Sequence, residues 1–418
     1  MDSQTSNRPG SPDGKSSAWR ALPAGIWALG FGSLFMDISS ELIHSLLPAF
    51  MVTTLGASML TVGLIEGVAE GSAAITKVFS GVLSDYLGKR KFLMILGYAL
   101  SACAKPIFPL AASVSWVFAA RFIDRVGKGV RGAPRDALVA DLTPKEMRGA
   151  AYGLRQALDS VGALLGPLLA VALMIWLANN LRAVMWIAVM PAFIAVALLL
   201  VYVREPERTS ADDPPRAPLT MADAKRLPLR YWLVVLLGGV FTLARFSEAF
   251  LVLQAREVGL QVGYLPLVMV VMNIIYAGGA YRAGAAADRV SPRTLMFLGL
   301  ILLIAADVAL AYATSTLIVF AGAALWGLHM ALTQGLLSKL VADTAPAELL
   351  GTGFGVFNLV SGVALLLASV IAGSLWSAFG ARATFLAGAT FAAVAAMGLL
   401  AAQAAQRYHH HDQNSTRM

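Results

Sequence analysis

Acids and bases recur at helical spacing inside stretches of the chain that are otherwise apolar. Asp37, Glu41 and His44 are spaced i, i+4, i+7 within residues 25–52, and Glu66, Glu70 and Lys77 share one helical face within 61–83. Residues 114–139 carry Arg121, Asp124, Arg125, Lys128 and Arg135, and the cations among them fall within roughly 80° of one face at 100° per residue. A charge at a lipid-facing helix centre costs about 2.5–3.5 kcal/mol, so these faces must meet one another or water. Carboxylates facing a basic stripe change their proton affinity as each pair closes and opens, which is the chemistry of proton coupling. Structural ion pairs would produce part of the same pattern. Asp37 falls near mid-depth of its stretch, Glu41 farther out, and Arg121 is the base expected to hold one of these acids. Later in the chain Arg245, Glu248, Asp307, His329 and Lys339 are sparser. Arg155–Asp159 and Arg245–Glu248 read as local pairs at i, i+4 and i, i+3.

The elements that position these groups follow from composition. Apolar residues make up 58% of the 418 and charged ones 13%, with mean hydropathy +0.71, against about 25% charged in a soluble domain. The apolar stretches are long enough to cross a hydrocarbon core of about 30 Å. About twelve are expected: 25–52, 61–83, 92–112, 114–139, 149–178, 183–203, 231–255, 263–287, 294–313, 316–341, 351–376 and 382–405, numbered below as spans one to twelve.

The formal charge of +8 could indicate nucleic acid, but its distribution excludes that reading. Lys89, Arg90, Lys91, Lys145, Arg148, Arg204, Arg208, Arg216, Lys225, Arg226, Arg230, Arg289 and Arg293 all fall in loops of one parity, whereas the opposite loops hold almost none, Arg182 and Arg382 being the clear exceptions. This bias predicts that both termini are cytoplasmic. The expected layout is a polar tail at 1–22, a first half at 23–203, a linker at 204–229 containing Asp-Asp-Pro-Pro, a second half at 230–405 and a tail at 406–418. No cleaved signal peptide is evident. Cys103 is the only cysteine, so no intrachain disulfide forms, and it reads as a small packed residue.

An internal repeat sets the architecture. At a constant shift of 202, Val139-Ala140-Asp141 meets Val341-Ala342-Asp343, Pro144 meets Pro346, Glu146 meets Glu348, Gly149 meets Gly351 and Gly153 meets Gly355. Gly81, Asp85 and Arg90 return as Gly284, Asp288 and Arg293 at a shift of 203. Repeats that each begin and end inside make parallel halves related by an axis along the membrane normal. The fold class is therefore an all-α membrane protein of twelve helices in two pseudo-symmetric six-helix bundles.

The loop after span two reads G-V-L-S-D-Y-L-G-K-R-K, Gly81 to Lys91, with Gly88 and Arg90 at its end. It resembles the signature of the major facilitator superfamily, with Tyr86 where a basic residue is usual. The second copy, from Gly284, keeps Asp288-Arg289 but has Ser291 in place of the later Gly. The resemblance implies a cytoplasmic gate in which Asp85 accepts from backbone N–H groups at the start of span eleven, near Leu350-Gly351. A helix start there suits an anion. R-F-I-D-R-V-G-K-G-V-R-G, residues 121–132, resembles the second signature of the superfamily's proton-coupled exporters. Gly153, Gly162, Gly166 and Pro167 of span five resemble its antiporter signature, with Ala170-Val171 where Gly-Gly is usual. Glycines on a helix face admit a close neighbour, and Pro167 can bend the span.

The resemblance covers residues 23–405 and implies a secondary active transporter that moves a small molecule by alternating access, with proton-coupled efflux the leading expectation. The expected setting is the plasma membrane, the inner membrane in a bacterium, with protons and lipid as partners, a monomeric state and no cofactor. A proton-coupled uptake symporter is the alternative within the class. Divalent-metal export is another, since Asp37, Glu41 and His44 are metal-competent types and His409-His410-His411 stand in the tail. A non-transporting receptor or scaffold would not need the charged interior. No HExxH, Walker loop or G-x-S-x-G elbow is present, so no catalytic residue is expected.

Overall fold

The chain bundles its helices around two kinds of contact, those inside each six-span half and those that join the halves. The computed structural model describes residues 22–205, 225–287, 290–334, 336–346 and 349–415, and no strand occurs among them. Ten of the described helices are long and apolar enough to cross a membrane. Spans four and seven complete the twelve: Val114–Asp141 falls short on hydropathy because of its charged stripe, and span seven because its helix is interrupted.

Local chemistry fixes the ends. Ser58 accepts from the Thr61 N–H (3.1 Å) to start span two (Met59–Leu87), and Gly88 ends it at φ 64°, a left-handed conformation that glycine adopts without strain. Asn180 caps span six (Leu181–Tyr202), accepting from Ala183 N–H at 3.1 Å. Ser291 caps span nine (Pro292–Ala311), whose first residue, proline, donates no N–H where none is needed. Span one is Ala24–Thr53, span five Arg148–Trp176, span eight Leu267–Ala287, span eleven Leu350–Phe379 and span twelve Ala381–Ser415.

Three expected spans are broken rather than continuous. Span three is Arg90–Ala104 and Ile107–Leu110, interrupted at Lys105-Pro106. Span seven is Leu229–Leu243 and Ala249–Glu257, with Arg245, Phe246 and Ser247 outside helix. Span ten is Thr316–Thr333 and Leu336–Thr344, interrupted at Gln334. Hydropathy registers none of these breaks because their flanks are apolar throughout. Irregular backbone at membrane depth is tolerated where protein or a polar cavity surrounds it. Cys103 also departs from expectation: it is exposed on its helix, because span three turns Tyr98, Ser101 and Ala102 inward instead.

The apolar core shows which face is sealed. On the face opposite the termini, one continuous cluster joins the halves, running from Leu42, Leu46 and Phe50 through Phe241, Phe250 and Leu265 to Trp376 and Phe385. On the face carrying the termini there are two separate clusters. One packs Ile26, Leu29, Met94, Leu138 and Leu199 in the first half; the other packs Tyr231, Val235, Val341 and Phe357 in the second. Spans two and eleven seal the closed face: Leu60 N–H donates to Ser377 Oγ at 2.9 Å, Gly63 abuts the Ser369 carbonyl, and a methyl at Gly71 would stand 3.0 Å from the Gly362 carbonyl. Asn273 on span eight donates to the Ala163 carbonyl on span five at 2.9 Å. The halves are therefore closed together away from the termini and separate toward them.

Candidate functional site

Span two supplies the centre of the polar interior. Glu66 is fully buried, and both its oxygens accept from Arg121 on span four, Oε2 from Nη2 at 2.7 Å and Oε1 from Nε at 3.2 Å. Paired N–H···O bonds of this kind are the strongest ion-pair geometry available to Arg. His44 Nε2 lies 3.5 Å from the same Glu66 Oε2, while its Nδ1 lies 3.5 Å from Glu41. One turn along span two, Glu70 stands 3.5 Å from Arg121 and 3.1 Å from Arg125. The chain Glu41–His44–Glu66–Arg121–Glu70–Arg125 thus links spans one, two and four.

Asp124 faces away from this chain. Its Oδ1 accepts from Lys105 Nζ at 2.9 Å, and Lys105 also donates to Ser40 Oγ at 2.9 Å. Lys105 is 1% exposed and was not singled out from the sequence. The available signal is a lone lysine before a proline inside an apolar run, which a hydropathy window averages away. At that helix break its ammonium reaches between spans one and four.

Arg121 closes on Glu66 and Glu70, not on Asp37 or Glu41 as expected. The reason is depth: Asp37 lies nearer the terminal face, among Asp159, Lys128, Arg131 and Arg135. There Arg155 donates to Asp159 at 2.8 Å, as its i, i+4 spacing predicts, and also approaches Asp136 at 3.7 Å. Arg135 donates to Ser33 Oγ at 2.8 Å, and Arg131 lies 4.7 Å over the Tyr98 ring and donates to Ser101 Oγ at 2.6 Å. Arg245 and Glu248 interact electrostatically but make no ion pair within 4 Å, because the backbone between them is not helical and does not stack i, i+3 neighbours as a helix would.

The antiporter-type glycines meet the acids directly. A methyl at Gly162 would stand 2.9 Å from Asp37 Cβ, and one at Gly166 would stand 2.7 Å from Glu41 Cβ. Glycine at these positions lets span five lie against the acidic face of span one, with Pro167 within the helix. Gly153 has open space around it, so its identity has no steric reason here.

Of the gate residues, Gly88 ends span two, Gly81 packs near Ala133, and Arg90 pairs with Asp141 at the end of span four. Gly284 lies in the helix of span eight. Asp288, Arg289 and the side chain of Asp85 lie outside the described residues, as do the side chains of His409, His410 and His411. Among the described residues no group of His, Cys, Asp or Glu is placed to hold a metal ion.

A cavity of about 340 Å³ adjoins the network at mid-depth, between the halves. Glu41, His44, Glu70, Arg125 and Lys128 line it from the first half. From the second half come the span-seven break, Arg245 to Glu248, and Trp326, Met330 and Gln334 of span ten. The breaks in spans seven and ten both face it, so the irregular backbone lies where water and a solute can reach it. Ser247 ties the halves there, with Oγ 3.4 Å from Glu66 Oε2 and its N–H donating to Ser369 Oγ at 3.2 Å.

This arrangement has close counterparts. The chain is 32% identical over 390 residues to an uncharacterised MFS-type transporter of Methanocaldococcus jannaschii, covering 91% of this chain and 95% of that one. It is 24% identical over 386 residues to the inner membrane transport protein YajR of Escherichia coli, covering 88% and 81%. Among solved structures, a bacterial homologue of the human lysosomal transporter Spinster, inward-facing and unoccupied, superposes with TM-score 0.71 at 17% identity, covering 93% and 97%. A POT family transporter superposes with TM-score 0.76 at 13% identity, covering 92% and 99%. The family model of the Major Facilitator Superfamily matches residues 29–364 and again 235–416. Matched in both halves and by relatives along nearly its whole length, the chain belongs to the Major Facilitator Superfamily: it is a multi-pass membrane transporter, not an enzyme.

Proposed function

We propose that this transporter exports a small molecule in exchange for protons, by alternating access across the plasma membrane, with termini and linker cytoplasmic. The observation that carries the reading is the buried chain of groups from Glu41 to Arg125, which opens onto the cavity at Glu41, His44, Glu70 and Arg125. A fully buried carboxylate held by an arginine is stable only while that partner stays in place. Rocking of the halves would withdraw Ser247 from Glu66 and admit water on the other face, changing which acids hold protons. The apolar clusters of the two halves are separate toward the terminal face, the side from which a cytoplasmic solute would reach the cavity. Export over uptake is supported by span five, whose Gly162 and Gly166 seat the antiporter-type helix on Asp37 and Glu41.

Proteoliposomes carrying an internal pH dye test the reading. A substrate added on one side should drive proton movement in the opposite sense, and Glu66→Gln should remove it. Substrate flux without counter-movement of protons in the wild-type protein would overturn antiport.

A further inference from the structure

The cavity holds charges of two sorts, and the distinction points to its occupant. Arg125 is engaged by Glu70 at 3.1 Å, and Glu41 and His44 face each other at 3.5 Å. Lys128 and Arg245 also line the cavity, one from each half, yet neither makes an ion pair within 4 Å among the described residues. The Arg245 Nε is buried without a hydrogen-bond partner. The side chain as a whole is half-buried, and a cationic N–H withdrawn from water is costly unless something accepts from it. Glu248, three residues on across the break in span seven, interacts with Arg245 electrostatically but does not close on it within 4 Å. Beside Arg245 the second-half wall offers apolar surface among its polar groups: Phe246 and Trp326 stand with ring centroids 5.5 Å apart, with Met330 and Leu365 in the same lining.

We infer that the transported solute is an amphipathic organic anion, its carboxylate or equivalent oxyanion held between Arg245 and Lys128 and its apolar body against Phe246, Trp326 and Met330. The inference rests on the reading of this cavity as the transport site. Arg offers a planar fork that suits a carboxylate, and Lys a point charge that tolerates movement of the opposite half. Engaging residues from both halves at once would also draw the halves together around the solute. Glu248 is the acid of the lining that closes no ion pair within 4 Å, and it sets a limit: the solute's charged end belongs on the Arg245–Lys128 side, away from this carboxylate.

The test uses the full-length protein in detergent and in liposomes, with no pH gradient. The probes share one skeleton: 4-phenylbutyrate, its neutral amide and the corresponding primary amine, with octanoate as a second carboxylate. Saturable binding and counterflow exchange of the carboxylates are expected, with little competition from the amide or amine. Arg245→Gln and Lys128→Gln should each weaken carboxylate binding at least about tenfold, the order a charge-assisted bond supplies. Arg245→Lys should restore part of it and controls for folding. The inference is overturned if neither carboxylate binds the wild-type protein, if the amine competes better than the carboxylates, or if a monodisperse Arg245→Gln protein binds them undiminished. Amine-driven proton exchange that survives Arg245→Gln would leave the export reading standing while removing this one. Carboxylate exchange insensitive to a pH gradient would do the reverse.

Discussion

The two halves carry the same six-span plan and use their interiors differently. In the first half, buried charges are paired across helices: Arg121 with Glu66 and Lys105 with Asp124. In the second half the buried polar groups stand largely alone. Asp307 is fully buried with no hydrogen-bond partner on either oxygen, close to Phe246 and Gly388, and His329 is satisfied only at Nδ1, by the Gly299 carbonyl at 2.8 Å. Paired charges resist separation and make a half that holds its shape. A half of aromatic contacts and broken helices can reshape around a solute. On the proposed function, this contrast would give proton handling to the first half and adaptation to the second.

The contrast is most exposed at Arg121. Arg121→Ala leaves Glu66 buried with only His44 and Ser247 near it, and should cost about 3–5 kcal/mol and abolish transport. Thermal unfolding in detergent and vesicle flux measure both; a stable, active Arg121→Ala protein would remove the first half's special role. Next in size, the Asp37→Asn, Glu41→Gln double variant should lose flux driven by a pH gradient while keeping exchange without one. Full gradient-driven flux in that variant would move the coupling to Glu66 and Glu70 alone. Gly166→Leu should wedge span five off span one at Glu41, costing about 1–3 kcal/mol and slowing transport severely, whereas Gly153→Leu, with space around it, should do little. Equal effects at the two glycines would show that span five is not seated by close approach.

Smaller effects test the joint between the halves. Ser247→Ala removes the long bond to Glu66 and the one its Oγ accepts from Ala249 N–H, and should cost about 0.5–1.5 kcal/mol, shifting accessibility toward the outward-open state without abolishing flux. Cysteine accessibility from the two membrane sides reads this shift. The smallest change is expected at Asp307→Asn, which keeps shape and should leave proton coupling intact. Loss of coupling there would place a proton site in the second half and erase the contrast.

The sequence carried the architecture because a bilayer imposes length and hydropathy on every span, and because loop charge and the repeat at 202–203 residues are one-dimensional signals. Helical spacing also carried faces: Asp37, Glu41 and His44 fall together, and Arg155 meets Asp159 as spacing alone requires. Partners between helices were not legible. Which acid Arg121 chooses depends on the relative depth and rotation of spans one, two and four, and spacing within each span carries neither. The breaks at Lys105, Arg245 to Ser247, and Gln334 were hidden for a related reason. A helix is interrupted in a membrane where neighbours and a cavity satisfy the freed backbone, and those neighbours are tens to hundreds of residues away in sequence. The sequence by itself therefore determined that the chain spans the bilayer as two similar halves with charge in its interior. Tertiary structure alone decided which charges close into ion pairs and which, Lys128 and Arg245 among them, line the cavity without an ion pair within 4 Å.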